Sequence, residues 1–135
     1  MEIKDIIFDE NFSFQFRIAE QNDEITLQLS DSLRAMHEIL TLEYKTKLFN
    51  FINASKVWYP RAIDAVRHWG AKIYNRSDGE VLLVIVYVRF EQNDTEELFG
   101  LEFRPDFDVE HGCGVKINGI TNEILEVGEG DIAFC

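Results

Sequence analysis

Hydrophobic and polar residues alternate near the start of the chain. Apolar side chains occupy every second position from Phe12 to Ile18 and again from Ile25 to Leu29. Because successive side chains of a β-strand point to opposite faces, this alternation predicts two half-buried strands. A turn at Gln21-Asn22-Asp23 would join them into an antiparallel hairpin with one face in water.

The middle of the chain changes to a spacing of three and four residues, which is typical of amphipathic helices. Ser30-Asp31-Ser32 offers side-chain oxygens that suit a helix cap. Apolar residues then recur from Leu42 to Ile52 and from Pro60 to Tyr74, and proline favours a first helical turn. The pattern fits two helices, and it also fits one broken helix with a kink near Pro60.

A second group of predicted strands follows the helices. Val81–Phe90 is almost continuously apolar and β-branched, which predicts a central strand covered on both faces. Alternation resumes at Phe99–Phe103, and Pro105 ends that strand because proline has no amide hydrogen to donate.

The last part of the chain contains the strongest hairpin signal, Asn118-Gly119. It lies between Gly114–Ile117 and Ile120–Val127, which we expect to pair, and Asp131–Phe134 is expected to add a last short strand. Strands, helices and strands in this succession predict an α+β fold in the order β-β-α-α-β-β-β-β. We expect a mainly antiparallel sheet of about six strands, two helices packed on one face, and a single domain over residues 1–135.

Acidic residues are concentrated in the last third of the chain. The formal charge is −12, and residues 91–135 carry 12 acids against two bases, Arg104 and Lys116. Residues 1–90 carry 13 acids and 11 bases. An acidic surface repels nucleic acid and attracts basic proteins, although it also serves solubility alone, and both explanations stay open here.

Several partner and location classes are disfavoured by the sequence. The N-terminus is too charged for a signal peptide, and the longest apolar run, Val81–Val88, is far shorter than a membrane span. Two cysteines do not form a disulfide scaffold, and no basic stripe is interleaved with aromatic residues. We therefore expect a cytoplasmic protein without membrane or nucleic-acid partners, whose oligomeric state the sequence leaves open.

The densest group of functional side chains is Asp106, Asp108, Glu110 and His111. A calcium loop would need glycine at the position of His111, and the spacing matches no standard zinc site. Cys113 with His111 as its base would form a nucleophile, but the surrounding acids raise a thiol pKa and oppose the thiolate. We expect no complete catalytic set, no bound metal and no cofactor.

Aromatic and histidine side chains offer further candidates. Trp58 and Tyr59 precede a proline at the predicted junction between the helices and are candidates for partner contact. Trp69 has the spacing of a core position. His37 and His68 fall on predicted helical stretches, where histidines more often serve the surface or a cap than a metal.

The C-terminal run FDVEHGCGVKINGITNEILEVGEGDIAF resembles the closing signature of small bacterial domains of unknown function. That signature has an acid, Glu-His-Gly-x-Gly, an aliphatic residue, a hairpin, an aliphatic-Gly pair and an Asp-Ile-Ala-Phe-like end. The matching positions are Asp108, Glu110, His111, Gly112, Gly114, Val115, Val127, Gly128, Asp131, Ile132, Ala133 and Phe134. Some such domains resemble immunity proteins of bacterial toxin systems. The resemblance covers about the last quarter of the chain and implies a fold more than an activity.

These features support functional hypotheses of different classes. The first is a non-catalytic interaction protein, an immunity-like inhibitor that binds a basic, toxin-like partner through its acidic C-terminal third. The residues expected to make this interaction are Asp106, Asp108, Glu110, His111, Trp58 and Tyr59. The alternative is a metal-dependent or carboxylate-based enzyme centred on Asp106–His111. A third hypothesis is structural, with Glu110 and His111 bracing the turn before the closing hairpin.

Overall fold

A computed structural model describes residues 1–29 and 39–135 of the chain. The strands and helices are β1 Ser13–Ile18, β2 Gln21–Leu29, α1 Leu42–Asn53, α2 Ser55–Tyr74, β3 Val81–Val88, β4 Leu98–Pro105, β5 Cys113–Asn118 and β6 Ile124–Glu129. Short 3-10 turns lie at Ile3–Asp5 and Gly130–Ala133. The predicted cap at Ser30-Asp31-Ser32 and His37 lie outside the described residues.

The six strands form one sheet whose spatial order follows the chain from β1 to β6. Neighbouring strands are antiparallel except β2 and β3, which are parallel. That exception arises because the two helices carry the chain from β2 to β3, and parallel neighbours need such a crossover. The predicted α+β fold, its element order and its mainly antiparallel sheet are confirmed.

The core lies between the helices and one face of the sheet, which we call the helix face. Phe51 of α1 stacks on Phe99 of β4 and on Trp58 of α2, with ring centroids 3.9 Å and 4.7 Å apart. Val115 and Ile117 of β5 are fully buried on the same side. Burying these large apolar groups is the main source of stability in this fold. The opposite side of the sheet, which we call the open face, carries Glu102 and Lys116 among others.

The two helices separate at Ala54 and not near Pro60. Thr41 caps α1, and its hydroxyl accepts the N–H of Tyr44 at 3.1 Å. Ala54 has φ −90° and ψ 11°, so the chain leaves the first helix there and starts the second at Ser55. Pro60 is the sixth residue of α2, past the first turn, so the helix continues through it without the one backbone bond that an N–H at this position would donate to Lys56 O. The two-helix interpretation was right, and the position of the break was wrong.

Several predicted turns and edges also differ. The first hairpin turns at Ala19-Glu20, because Gln21 already belongs to β2. The last predicted strand, Asp131–Phe134, is wrong, since Gly130–Ala133 is a 3-10 turn.

The hairpin at Asn118-Gly119 exists, but its loop is longer than two residues. Asn122 donates its N–H to Asn118 O at 2.7 Å, and Asn118 donates to Glu123 O at 2.9 Å. Asn122 takes the left-handed conformation at φ 60°, so the left-handed position of this loop lies outside the predicted Asn118-Gly119 pair. As a result β6 begins at Ile124.

Candidate functional site

Asp106 fastens the loop after β4 to the start of β3. Its carboxylate accepts the N–H of Glu80 at 2.9 Å, and its own N–H donates to Glu80 O at 2.9 Å. Gly79 adopts φ +87°, and a Cβ there would lie 2.8 Å from Asp106 Oδ2. The side chain of Asp106 therefore contributes to the local structure, although the residue is exposed.

Asp108 is the centre of a small hydrogen-bond network at the end of α2. The hydroxyl of Tyr74 donates to Asp108 Oδ2, and the backbone N–H of His111 donates to Asp108 Oδ1 at 3.1 Å. The bond from Tyr74 is the main reason why the pKa of Asp108 lies below its ordinary value. The same bond raises the pKa of Tyr74 to about 12. Tyr74 and Asp108 thus join the end of the helix to the loop between β4 and β5.

His111 completes this network from the solvent side. Its ring Nδ1 lies 3.1 Å from Asp108 Oδ1, and its side chain is 59% exposed against 9% for Asp108. Hydrogen bonding to Asp108 is the largest cause of the raised pKa of His111, and the charges of Glu110 and Glu129 add to it. His111 braces the turn, as the structural hypothesis expected, but its partner is Asp108. Glu110 points into solvent and makes no hydrogen bond within the described ranges.

The arrangement gives little support to an enzyme at this loop. Cys113 is fully buried, and burial raises its thiol pKa to about 12, so it is not a thiolate near neutral pH. In residues 1–29 and 39–135, no three His, Cys, Asp or Glu side chains converge in a way that could hold a metal ion. The carboxylate of Asp108 is already occupied by Tyr74 and His111.

The expectation that Trp58 is a surface contact is wrong. Trp58 is fully buried, and its indole N–H donates to Phe51 O at 2.7 Å. Because α2 begins before it, Trp58 shares one helical stripe with Ala62 and Val66, and this four-residue spacing was the signal in the sequence. Tyr59 is half-buried, and its hydroxyl donates to Gln21 Oε1 at 3.1 Å.

The exposed acids of the C-terminal third follow the edge of the sheet. We call this group the acidic band; it consists of Glu96, Glu97, Glu110, Glu123, Glu126, Glu129 and Asp131. All are exposed except Glu97, which is half-buried. β6 is an edge strand, and its stretch from Glu123 to Glu129 extends for roughly 20 Å at strand geometry.

Two backbone bonds connect the ends of the band to this edge. Gly119 donates its N–H to Glu97 O at 2.6 Å, which holds the loop carrying Glu96 beside the β5–β6 loop. Gly130 donates to His111 O at 3.1 Å, and the charges of Glu110 and Glu129 both act on His111, so Glu110 lies near the end of β6. The acidic positions therefore follow one edge of the sheet, with Glu126 on the open face beside Lys116 and Glu129 opposite Cys113 of the helix face.

Basic residues offset little of this charge. Arg104 Nη2 lies 3.6 Å from Glu102, outside the band, and Lys116 Nζ lies 3.4 Å from Glu126. In the described part of the chain, Lys116 is the one base that forms an ion pair with the band. Arg61 of α2 borders it and donates to Asn122 O at 3.2 Å. The band keeps a surplus of negative charge.

The C-terminal turn and Phe134 form a close-packed closure on the open face. The turn at Gly130–Ala133 lies over Gly100 and Gly114, where a Cβ would come within 1.7 Å of Ala133 O and 2.7 Å of Ala133 N. The ring of Phe134 packs on Tyr87 with centroids 5.4 Å apart. Gly100, Gly114, Ala133 and Phe134 therefore contribute to packing, whereas Glu110 and Asp131 stay exposed.

A groove lies on the open face beside Asp106. It is lined by Leu82, Val84 and Val109, with Glu80, Arg104 and Asp106 around them, and has a volume of about 530 Å³. We call this site the open-face groove. Pockets that bind small molecules or protein side chains share such an apolar floor and polar rim.

No helix in residues 1–29 or 39–135 has the length and hydrophobicity needed to cross a membrane. The resemblance to immunity-like bacterial domains stays a prediction. No protein-family model, curated protein or solved structure gives a significant match to this chain.

Proposed function

We propose that this protein is a non-catalytic interaction protein, an immunity-like inhibitor that binds a basic, toxin-like protein through its acidic band. The observation that carries the proposal is the placement of seven acidic residues along one sheet edge. Among the described residues Lys116 alone forms an ion pair with the band, so most of this charge is available to lysine and arginine side chains of a partner.

Exposed apolar side chains beside the band add to the area that a partner can contact. Leu125 is 52% exposed and Ile120 is 59% exposed, and both lie on the same sheet edge as the carboxylates. Protein interfaces commonly combine a few apolar anchors with a charged rim, and charge complementarity raises the association rate. Binding would inhibit the partner by covering its basic active surface.

This mechanism differs from the one expected from the sequence. Asp108 and His111 serve each other within the fold, and Trp58 is in the core, so they are poor anchors. Glu110 keeps its expected role because it is exposed and belongs to the band. The proposed contact surface is therefore the edge strand β6, whereas the sequence indicated the loop after β4.

The test is a binding titration with toxin domains encoded beside the gene, at increasing NaCl concentrations. The band variant combines Glu123→Gln, Glu129→Gln and Asp131→Asn. We expect it to bind at least about tenfold more weakly at low salt, with a shallower salt dependence. Inhibition of the toxin should fall in parallel.

The matched control removes three exposed carboxylates that belong neither to the band nor to the open-face groove, with Glu10→Gln, Asp23→Asn and Glu43→Gln. It changes net charge equally, so it should leave affinity nearly unchanged if the band makes the contact. Equal weakening in both variants, or binding that does not respond to salt, would contradict the proposal.

A further inference from the structure

The open face of β3 is more apolar than that of its neighbours. A β-bulge between Leu83 and Ile85 allows Leu83 and Val86 both to face the helices. Leu82 and Val84 alternate with Leu83 and are half-buried on the open side, and the bulge turns Ile85 to the same side. Bulges often redirect side chains next to functional sites.

Among the described residues, the C-terminal ones cover one part of this apolar stripe. Phe134 packs on Tyr87, near one end of β3. Toward the other end, Leu82 and Val84 line the open-face groove together with Val109, which is 55% exposed. We expected β3 to be covered on both faces, and at this end that expectation is wrong. Strands this apolar usually have a second covering layer, so exposed apolar area here indicates a contact surface.

The rim of the groove has a net negative charge. Glu80 and Asp106 contribute two carboxylates, and Arg104 contributes one base. Arg104 Nη2 already lies 3.6 Å from Glu102, so its charge is largely offset. Only Oδ2 of Asp106 accepts the Glu80 N–H, which leaves the second oxygen for an outside donor. An occupant should therefore combine an apolar side chain with neighbouring positive charge.

The groove and the acidic band meet at one end of the sheet. The pairing of Val81 with Pro105, Phe103 with Cys113 and Cys113 with Glu129 puts these positions along one sheet end. Glu110 follows Val109 directly in the chain and belongs to the band. The loop between β4 and β5 thus borders both sites, since Val109 lines the groove and Glu110 belongs to the band.

We propose that the open-face groove receives an apolar side chain, flanked by lysine or arginine, from the basic protein that binds the acidic band. This inference rests on the proposed function and adds the anchoring pocket to it. The volume of about 530 Å³ accommodates a leucine or an aromatic ring. The carboxylates of Glu80 and Asp106 would pair with the flanking bases.

The first experiment uses synthetic twelve-residue peptides and methyl NMR spectra of the whole protein. One peptide carries a single leucine between lysines, a second replaces the leucine by serine, and a third replaces the lysines by glutamates. We expect the first peptide alone to shift the methyl signals of Leu82, Val84 and Val109 in a saturable manner. Equal shifts with the serine or the glutamate peptide would overturn the inference.

The protein variant for this test combines Val84→Thr and Val109→Thr, which keep side-chain shape and remove apolar character. We expect at least fivefold weaker binding of the leucine peptide, with an unchanged thermal melt. Ile7→Thr is the control, because Ile7 is 70% exposed and lies outside the groove. Unchanged affinity in the folded groove variant would count against the inference.

The same variants separate this inference from the function on which it rests. With a toxin-like partner, the groove variant should lower affinity without changing the salt dependence, whereas the band variant should reduce that dependence. A salt-dependent partner that ignores the groove variant would overturn only the groove. Methyl shifts that depend on protein concentration alone would assign the groove to a second copy of this chain and also overturn the inference.

Discussion

The substitution Gly100→Ala tests whether the C-terminal turn is held by close backbone packing. An added Cβ would lie 1.7 Å from Ala133 O and 2.6 Å from its carbonyl carbon. Both clashing atoms belong to the backbone, so no side-chain rotation relieves the contact. Since carbon–oxygen contacts need about 3.3 Å, the turn at Gly130–Ala133 would have to withdraw by roughly 1.6 Å.

The expected loss of stability follows from overpacking. Forcing such a shift into a packed site costs about 2 kcal/mol. In a protein of 135 residues, that free energy lowers the melting temperature by about 7 °C. The loss cannot exceed the stability contributed by the docked turn, because the turn would detach before the sheet unfolds.

Gly128→Ala is the matched control. Its added Cβ would meet Ile132 Cγ1 at 2.8 Å, and that atom belongs to a half-buried side chain that can move. We expect Gly128→Ala to lower the free energy of unfolding by less than about half as much as Gly100→Ala, because a rotamer change of Ile132 relieves part of the clash. Urea unfolding followed by circular dichroism measures both variants.

Truncation of the chain after Glu129 provides a second background in which the effect of Gly100→Ala can be measured. Without Ala133 the clash at Gly100 no longer exists, and alanine in a strand is favoured over glycine by about 0.5–1 kcal/mol. Gly100→Ala should therefore destabilise the full chain and stabilise the truncated one, a non-additive pair. The same sign and size of effect in both backgrounds would refute the packing argument.

Three further predictions concern the network around Asp108 and the two thiols. Tyr74→Phe removes the donor to Asp108 and should lower the free energy of unfolding by about 1.5 kcal/mol at pH 7, measured by urea titration. The loss of stability in Tyr74→Phe should become smaller in acid. The lowered pKa of Asp108 gives stability that is present above the ordinary carboxyl pKa, and this stability disappears as pH falls through the pKa of Asp108 in the folded state. His111 has the opposite sign: its raised folded pKa gives stability that is fully present below the unfolded value of about 6.5 and is lost as pH rises through the higher folded pKa, so His111→Gln should differ from wild type only at the lower pH. Iodoacetamide at pH 8 should modify exposed Cys135 and spare buried Cys113 until urea is added, as mass spectrometry would show, and modification of both in the native state would contradict the burial.

The local pattern of apolar and polar residues was sufficient to predict most of the secondary structure. The alternation at Phe99–Phe103 and the helical spacing up to Tyr74 predicted elements that the structure contains. These patterns are reliable because one face of each element is buried, and the period of the element is then visible in the residues. Boundaries were less predictable, since the start of α2 at Ser55 depends on how Trp58 packs between the helices.

The nature of the candidate site was only partly visible in the sequence. The surplus of acids in residues 91–135 can be counted from the sequence, but their placement along one edge depends on β6 being an edge strand. In the same way Asp106, Asp108 and His111 looked like ligands because their residue types are those of ligands. Only the structure shows that Asp106 Oδ2 accepts from Glu80 and that Asp108 bonds to Tyr74 and His111.

The sequence by itself determined the α+β order, the apolar faces and the excess of negative charge, because these follow from periodicity and composition. The tertiary structure decided that Trp58 is in the core, that Gly130–Ala133 packs as a turn over Gly100, and that β3 keeps an uncovered apolar end. Each of these outcomes depends on contacts between residues far apart in the chain. Such contacts are set by how faces pack together, and the pattern within one segment does not contain that information.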